Sequence, residues 1–174
     1  MPGWPTGCSS RSDVPRTFMV SRWLAAAPMR DDHHVPGESW VSTREGRHLA
    51  GRRKIDTSPE LLLRRALHAA GARFRLHRHL ARRCTPDIVL PGRRVAVFVD
   101  GCWWHSCPAH GRKKPFTGPN AALWEAKMAR NRERDADATV IAERLGWTVV
   151  RVWECKIMAD PHAAARQVLE PGVS

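Results

Sequence analysis

The segment Val95–His110, VAVFVDGCWWHSCPAH, decides the fold of this 174-residue chain and concentrates its chemistry. Its first five residues, Val95 to Val99, are all apolar, a pattern typical of a fully buried central strand. Asp100 and a glycine follow, and cysteines and histidines then flank two adjacent tryptophans. We therefore expect one loop, directly after a buried strand, to hold possible metal ligands, a histidine able to transfer protons and large aromatic rings.

The overall charge points to a polyanionic partner. Lysine and arginine number 29 against 17 aspartates and glutamates, which gives a net charge of +12 and a pI near 10.9. Nucleic acid is the simplest such partner.

Five cysteines, an odd number, suit metal binding in a reducing compartment better than a disulfide framework. No apolar run approaches the roughly 20 residues of a membrane span, so we expect a cytoplasmic protein.

The chain divides into an extension and one domain. Residues 1–38 carry scattered prolines and charges without a sustained period, and we predict a disordered N-terminal extension there. Residues 39–170 are predicted to form a single folded domain, which opens with a basic arm or short helix over residues 40–56.

The patterning predicts an α/β fold, a central mixed sheet flanked by helices. Ser58 and Pro59 suit the N-cap and first position of a helix that stops at Gly71. Further elements are predicted in this order: strands near 74–76, 87–90 and 95–99, a long helix over 121–145, a strand over 147–153 and a short helix over 161–169.

Three acids form the first candidate site. Glu60 lies in a helical first turn, Asp87 begins a strand and Asp100 ends the next one. If those strands form a hairpin across the intervening turn, Asp87 and Asp100 fall near the same end of the sheet. Two such acids can share Mg²⁺ through oxygen ligands, and Mg²⁺ can polarise a phosphodiester. Alternatively, Asp87 only caps a turn, Glu60 only serves the helix dipole and Asp100 only ends its strand.

A second candidate site holds zinc. Cys102, Cys107 and His110 lie in one loop, and Cys155 reaches the same edge if the last strand is parallel to Val95–Val99. Four such ligands suit structural Zn²⁺. His105 remains as a proton acceptor for attacking water, or it replaces His110 as the zinc ligand. The alternative to zinc is a set of reduced, partly buried thiols with a surface histidine.

Aromatic and basic residues suggest contact with DNA. Flat rings beside a basic loop can wedge between base pairs while cations hold the phosphates. The alternative for the tryptophans is ordinary core packing, which we do assign to Trp147 and Trp153. The candidate DNA-binding residues are Trp103, Trp104, Trp124, Arg112, Lys113 and Lys114.

Together these segments resemble the very-short-patch-repair (Vsr) mismatch endonucleases. The matching stretches are DTSPELLLRRALHAAG, TPDIVL, VAVFVDGCWWHSCPAHG, KMARNRERD and GWTVVRVWEC, in unbroken order over about residues 42–156. The resemblance implies a restriction-endonuclease-like fold and Mg²⁺-dependent nicking of double-stranded DNA. Its substrate would be the T:G mismatch left by deamination of 5-methylcytosine, nicked 5′ of the thymine to start very-short-patch repair.

The resemblance also implies residue roles. Asp87 and the Val99 carbonyl would bind Mg²⁺, His105 would be catalytic and Glu60 would support the site. Asp100 stands where some members have histidine, so its catalytic role stays open. The intercalating rings would be Trp103, Trp104 and Trp124, and the zinc ligands Cys102, Cys107, His110 and Cys155. A monomer is expected, working on mismatched DNA alongside other mismatch-repair proteins. The rival interpretations are a same-fold nuclease for other DNA structures and a non-catalytic, zinc-bearing DNA-binding module.

Overall fold

The computed structural model describes residues 40–43 and 53–172. Within these ranges a four-stranded sheet has the order β1-β2-β3-β4, and helices flank it, which confirms the predicted mixed α/β architecture. The strands are β1 (Arg75–Leu76), β2 (Ile88–Leu90), β3 (Val95–Asp100) and β4 (Thr148–Trp153). The helices are α1 (Ser58–Ala69), α2 (Ala121–Arg144), α3 (Glu154–Ala159) and α4 (Pro161–Leu169).

The predicted extension over residues 1–38 lies outside the described residues, as does most of the predicted basic arm. The described parts of that arm, residues 40–43 and 53–56, contain no helix. No helix among the described residues is long and apolar enough to cross a membrane.

The strand pairing that the site needs is the predicted one. β2 and β3 are antiparallel, with Ile88 opposite Val97, and a 3-10 turn at Pro91–Arg93 joins them. β3 and β4 are parallel and in register from Val95 opposite Thr148 to Asp100 opposite Trp153. A parallel neighbour requires a crossover, which α2 supplies. The first residues of β2 and the last residues of β3 and β4 therefore lie at the same end of the sheet.

The sheet is packed on both faces. The larger core cluster contains Val95 and Val97 of β3 together with Leu63 and Leu67 of α1 and Ile157 of α3. A smaller cluster takes the alternate residues of β3, Ala96 and Phe98, and packs them against Ala138 and Ala142 of α2. Successive side chains of a strand point to opposite faces, so a strand covered on both sides has to be apolar throughout. This explains the unbroken apolar run that begins the deciding segment.

Three boundary predictions differ from the structure. Helix α1 begins one residue earlier than predicted: Thr57 rather than Ser58 is the N-cap, and Pro59 is the second helical residue. The long helix ends at Arg144 rather than at the predicted residue 145, and Leu145 is 42% exposed where the chain turns at Gly146 with a φ of +75°. Strand β1 covers only Arg75 and Leu76 rather than residues 74–76, and Leu76 is 43% exposed on this edge strand.

Candidate active site and metal-binding loop

The loop after β3 is a tight coil held by its own backbone. The amide of Cys107 donates to the carbonyl of Cys102 at 2.9 Å, and that of Gly111 donates to the carbonyl of Cys107 at 2.7 Å. A Cβ atom at position 111 would lie 2.5 Å from the Cys107 carbonyl oxygen, so only glycine fits. This coil displays its side chains in separate directions, which creates two distinct polar clusters.

The first cluster brings together the four predicted zinc ligands, Cys102, Cys107, His110 and Cys155. One ligand atom from each lies within 4.8 Å of all the others. The Cys107 Sγ is 4.0 Å from both the Cys155 Sγ and the His110 Nδ1. Tetrahedral zinc with Zn–S bonds of about 2.3 Å places its sulfur ligands roughly 3.8 Å apart. The thiols are all free, so the donor set and its spacing fit zinc.

The thiols of this cluster are unequal. Burial is the main influence on Cys102 and raises the pKa of its thiol to about 12. Burial also acts to raise the pKa of Cys107, but backbone amides of His110 and Ala109 help to lower it to about 7. Several thiolates in one small volume repel one another, and a divalent cation would relieve that repulsion.

The second cluster contains His105, and it separates the two histidines that the sequence could not distinguish. His110 lies among the cysteines, whereas His105 lies with Asp100 and Asp135. The His105 Nδ1 is 2.5 Å from an Asp135 carboxylate oxygen and 3.7 Å from an Asp100 oxygen. The resulting His–Asp pair joins the loop to helix α2.

Arg151 of β4 fixes the carboxylates of this cluster. It donates to both oxygens of Asp100, from Nε at 2.7 Å and from Nη2 at 2.6 Å, and its Nη2 lies 3.2 Å from Asp135. Burial acts to lower the pKa of Arg151, but the bonds to Asp100 outweigh it and raise the pKa. Burial likewise acts to raise the pKa of Asp135, but the bond from His105 and the charge of Arg151 hold it below its usual value.

The predicted magnesium ligands Asp87 and Asp100 have different hydrogen-bond partners. Asp100 is engaged by Arg151, and Asp87 belongs to no group of three or more acids, histidines and cysteines in the described residues. The Oδ2 of Asp87 instead accepts the backbone N–H of Val99 at 2.7 Å. The hairpin does bring the two acids to one end of the sheet, but their side chains have different partners.

Asp87 has the character of a single cation ligand. Burial raises its pKa to about 6, the negative charges of Glu60 and Asp100 add to this, and the Val99 amide opposes it. A half-buried carboxylate with few donors is a hard oxygen ligand that a divalent cation would stabilise. Asp87 is therefore chemically suited to Mg²⁺, and the Val99 carbonyl as a second Mg²⁺ ligand stays a prediction.

Glu60 supports the start of helix α1 and lies close enough to influence Asp87. It is 5% exposed, and it accepts from the Asp56 amide at 3.2 Å, the Thr57 hydroxyl at 2.8 Å and Arg64 at 2.7 Å. Its charge is thus paired with that of Arg64, so it has a structural role besides any part in catalysis.

The three predicted wedge tryptophans lie together. The ring centroids of Trp103 and Trp104 are 4.6 Å apart, and that of Trp124 is 5.3 Å from Trp103 and 6.2 Å from Trp104. All three are half-buried rather than core residues. Two further rings that the sequence analysis did not single out, Trp40 and Phe116, pack on Trp124 at 5.0 and 5.9 Å.

The basic loop lies beside these rings. Arg112 stacks over Phe116 at 4.5 Å and donates to the carbonyls of Lys114 and Pro115, so it shapes its own loop. Lys113 and Lys114 are exposed. Trp153, assigned to packing, is half-buried and instead lines a cleft of about 220 Å³. That cleft is also lined by Asp100, His105, Arg132, Asp135 and Arg151.

Asp135 and Arg151 were missed in the sequence analysis, although signals for both existed. Asp135 shares a helical face with the buried Ala138 and Ala142, at spacings of three and seven residues, so an acid there points inward. Arg151 is the only charged residue in the apolar strand TVVRVW, and a charge in a buried strand requires a partner.

Sequence comparison with known proteins identifies related endonucleases. The sequence profile described as DNA mismatch endonuclease Vsr matches residues 41–110. The type II nicking enzyme V.NaeI of Lentzea aerocolonigenes is 42% identical over 133 residues, which cover 74% of this chain and 78% of that protein. The type II nicking enzyme V.XorIIP of Xanthomonas oryzae is 40% identical, over 68% of this chain and 87% of its own.

The DNA mismatch endonuclease Vsr of Escherichia coli is 33% identical over 102 residues, which cover 59% of this chain and 64% of that protein. The matches include relatives that are well above 30% identical and aligned over most of their length. The chain therefore belongs to the Vsr family of DNA endonucleases.

Proposed function

We propose that the protein nicks double-stranded DNA on the 5′ side of the thymine in T:G mismatches, the first step of very-short-patch repair. The observation that carries the proposal is the adjacency of an aromatic cluster and a His–Asp pair. Trp103, Trp104 and His105 are consecutive residues of one loop. A ring that enters weakly stacked DNA at a mismatch would therefore bring the histidine next to the backbone at that point.

His105 is proposed as the general base. Asp135 bonds its Nδ1 at 2.5 Å, which favours the tautomer that carries a proton on Nδ1 and leaves Nε2 to accept one from water. Asp135 also stabilises the charge that His105 gains when it accepts the proton. Arg151 and Asp100 hold Asp135 in place, so we assign Asp100 a positioning role rather than that of a metal ligand.

The two metals have separate proposed roles. Asp87 would hold Mg²⁺, which polarises a phosphodiester oxygen and stabilises developing negative charge. Cys102, Cys107, His110 and Cys155 would hold Zn²⁺ and keep the wedge loop rigid without taking part in chemistry. We further propose a restriction-endonuclease-like fold and a monomer that works alongside other mismatch-repair proteins.

The test is nicking of labelled duplexes that carry T:G or C:G, and of a four-way junction, with and without Mg²⁺. Nicking of the T:G duplex alone, and only with Mg²⁺, supports the proposal. Cleavage of the junction would favour a same-fold nuclease for other DNA structures. Binding without cleavage would favour a non-catalytic DNA-binding module.

The catalytic assignment has its own variants. Asp135→Asn and His105→Ala should each slow nicking by about 10²- to 10⁴-fold, the range expected for loss of general-base catalysis, with T:G binding retained. Asp87→Ala should abolish nicking and also leave binding intact. The matched control is Asp137→Asn, because Asp137 is on the same helix but 41% exposed and paired with Arg83. Equal rates for the Asp135 and Asp137 variants would refute the assignment.

A further inference from the structure

Residues 40–43 are tied to the start of helix α2 by one buried amide. The Oδ1 of Asn120 accepts the backbone N–H of Val41 at 3.0 Å, and its Nδ2 donates to the Val41 carbonyl at 2.8 Å. Asn120 is only 5% exposed. One side chain thus satisfies both backbone groups of a residue 79 positions away, as a strand partner would. These two hydrogen bonds fix the backbone next to Trp40.

The fixed backbone places the Trp40 ring on the aromatic cluster. The ring packs edge-on to Trp124, with centroids 5.0 Å apart and planes at 78°. The Lys127 ammonium lies within 5.8 Å of three ring centroids, those of Trp40, Trp104 and Trp124. Trp40 therefore shares the Lys127 ammonium with two of the proposed intercalating rings, Trp104 and Trp124. Its own surface remains 46% exposed.

The charges around this ring suit a polyanion. Burial lowers the pKa of Lys127, and the neighbouring charges of Lys54, Arg130 and Arg134 lower it further. Cations that repel one another beside exposed aromatic surface are stabilised by phosphates, and the aromatic surface is a platform for unstacked bases. Together these features favour nucleic acid as the occupant.

We propose that Trp40 is a fourth stacking surface, which receives a base unstacked at the mismatch, and that the Asn120 amide holds it in position. This inference rests on the proposed function, because only a mismatch or a similar defect supplies such a base at low cost. Trp40 would then add discrimination between mismatched and paired DNA. A ring that only buttressed Trp124 would not need its large exposed face.

The test measures affinity for T:G and C:G duplexes and the fluorescence of a 2-aminopurine next to the mismatch, which stacking quenches. The full chain is used with Trp40→Ala, Trp40→Phe, Trp40→Leu, Asn120→Ala and Trp103→Ala. Trp40→Ala should weaken T:G binding by roughly 5- to 100-fold, the range expected for loss of one base–aromatic stack, and reduce the quenching. C:G binding, which depends mainly on phosphates, should stay unchanged.

The remaining variants separate stacking from buttressing. Trp40→Phe should restore affinity and quenching because it keeps a ring, whereas Trp40→Leu should restore neither. Asn120→Ala should weaken T:G binding as much as Trp40→Ala does. The double variant of Trp40→Ala with Asn120→Ala should bind T:G no more weakly than Trp40→Ala alone. Full rescue by Trp40→Leu, or equal losses on T:G and C:G, would overturn the inference.

The failure of this inference is distinguishable from that of the proposed function. Wild-type affinity in Trp40→Ala together with weakened T:G binding in Trp103→Ala overturns only the role of Trp40. Wild-type affinity in both variants overturns the wedge itself and the role of Trp40 with it.

Discussion

The two polar clusters formed by residues of the loop after β3 differ in how their charge is balanced. Cys102, Cys107, His110 and Cys155 offer four closely spaced ligand atoms, and no lysine or arginine of the described residues is among the main influences on the pKa values of Cys102 and Cys107. The cluster of His105, Asp135 and Asp100 already contains a cation, Arg151. We therefore expect the first arrangement to need a metal ion for stability, whereas the second is complete as a hydrogen-bonded ion-pair network. On this expectation, similar ligand-type residues have opposite dependences on metal.

The largest effect is expected from breaking the first cluster. Cys155→Ser removes one of its ligands, so it should lose the bound zinc equivalent and lower the free energy of unfolding by several kcal/mol, because metal binding is coupled to folding. Zinc analysis and denaturant unfolding are the measurements.

Cys84→Ala is the matched control for this variant. Cys84 is fully buried, and its thiol donates to the Ala138 carbonyl, outside the cluster. The control should retain zinc even if it loses some stability. A full zinc equivalent and unchanged stability in Cys155→Ser would show that the two clusters do not differ in this way.

A smaller effect is expected from removing the cation of the second cluster. Arg151→Met leaves Asp100, which is 3% exposed, without its partner, and should lower the free energy of unfolding by about 3 kcal/mol. Zinc content should not change. Denaturant unfolding with and without Zn²⁺ checks both expectations.

The double variant Asp100→Asn with Arg151→Met should recover part of that stability, because it also removes the uncompensated charge. If Arg151→Met alone unfolds no more easily than wild type, the network is not balanced by this cation.

The smallest expected effect is a gain, not a loss, in the free energy of unfolding. The pKa of Asp87 is raised from 3.8 to about 6, so its ionised form is disfavoured in the folded state and lowers stability above pH 6. That penalty disappears as the pH falls below about 4, where the carboxyl is protonated in both states. Asp87→Asn should therefore stabilise the metal-free protein by about 1–3 kcal/mol near pH 8.

Unfolding measured from pH 4 to 8, with EDTA and then with Mg²⁺, checks this expectation. Mg²⁺ should stabilise the wild type but not the variant. A variant that is less stable than wild type at pH 8 in EDTA would contradict the raised pKa.

Much of the framework could be predicted from the sequence, because local patterns carry it. The continuous apolar run Val95–Val99 predicts a central strand, and a long crossover helix predicts that the next strand is parallel. These two facts place Cys155 beside the cysteines of the loop. The zinc prediction rested on topology and ligand chemistry, both of which a sequence expresses directly.

The partners of Asp100 and His105 could not be predicted in the same way. Helix α2 carries several acids, and which of them faces the loop depends on how the helix docks on the sheet. Asp135 and His105 are 30 residues apart, and Arg151 and Asp100 are 51 apart. The hairpin argument brought Asp87 and Asp100 to the same end of the sheet, but it did not determine the contacts of their side chains.

The parallel pairing of β3 and β4 has a consequence for the order in which the protein assembles. The ribosome makes Cys102, Cys107 and His110 well before Cys155, which is separated from Cys107 by 48 positions. The long helix between them has to form and dock before the last ligand arrives. During synthesis the loop therefore holds an incomplete set of the predicted metal ligands, and the loop that we propose inserts into DNA is among the last parts of the fold to become rigid.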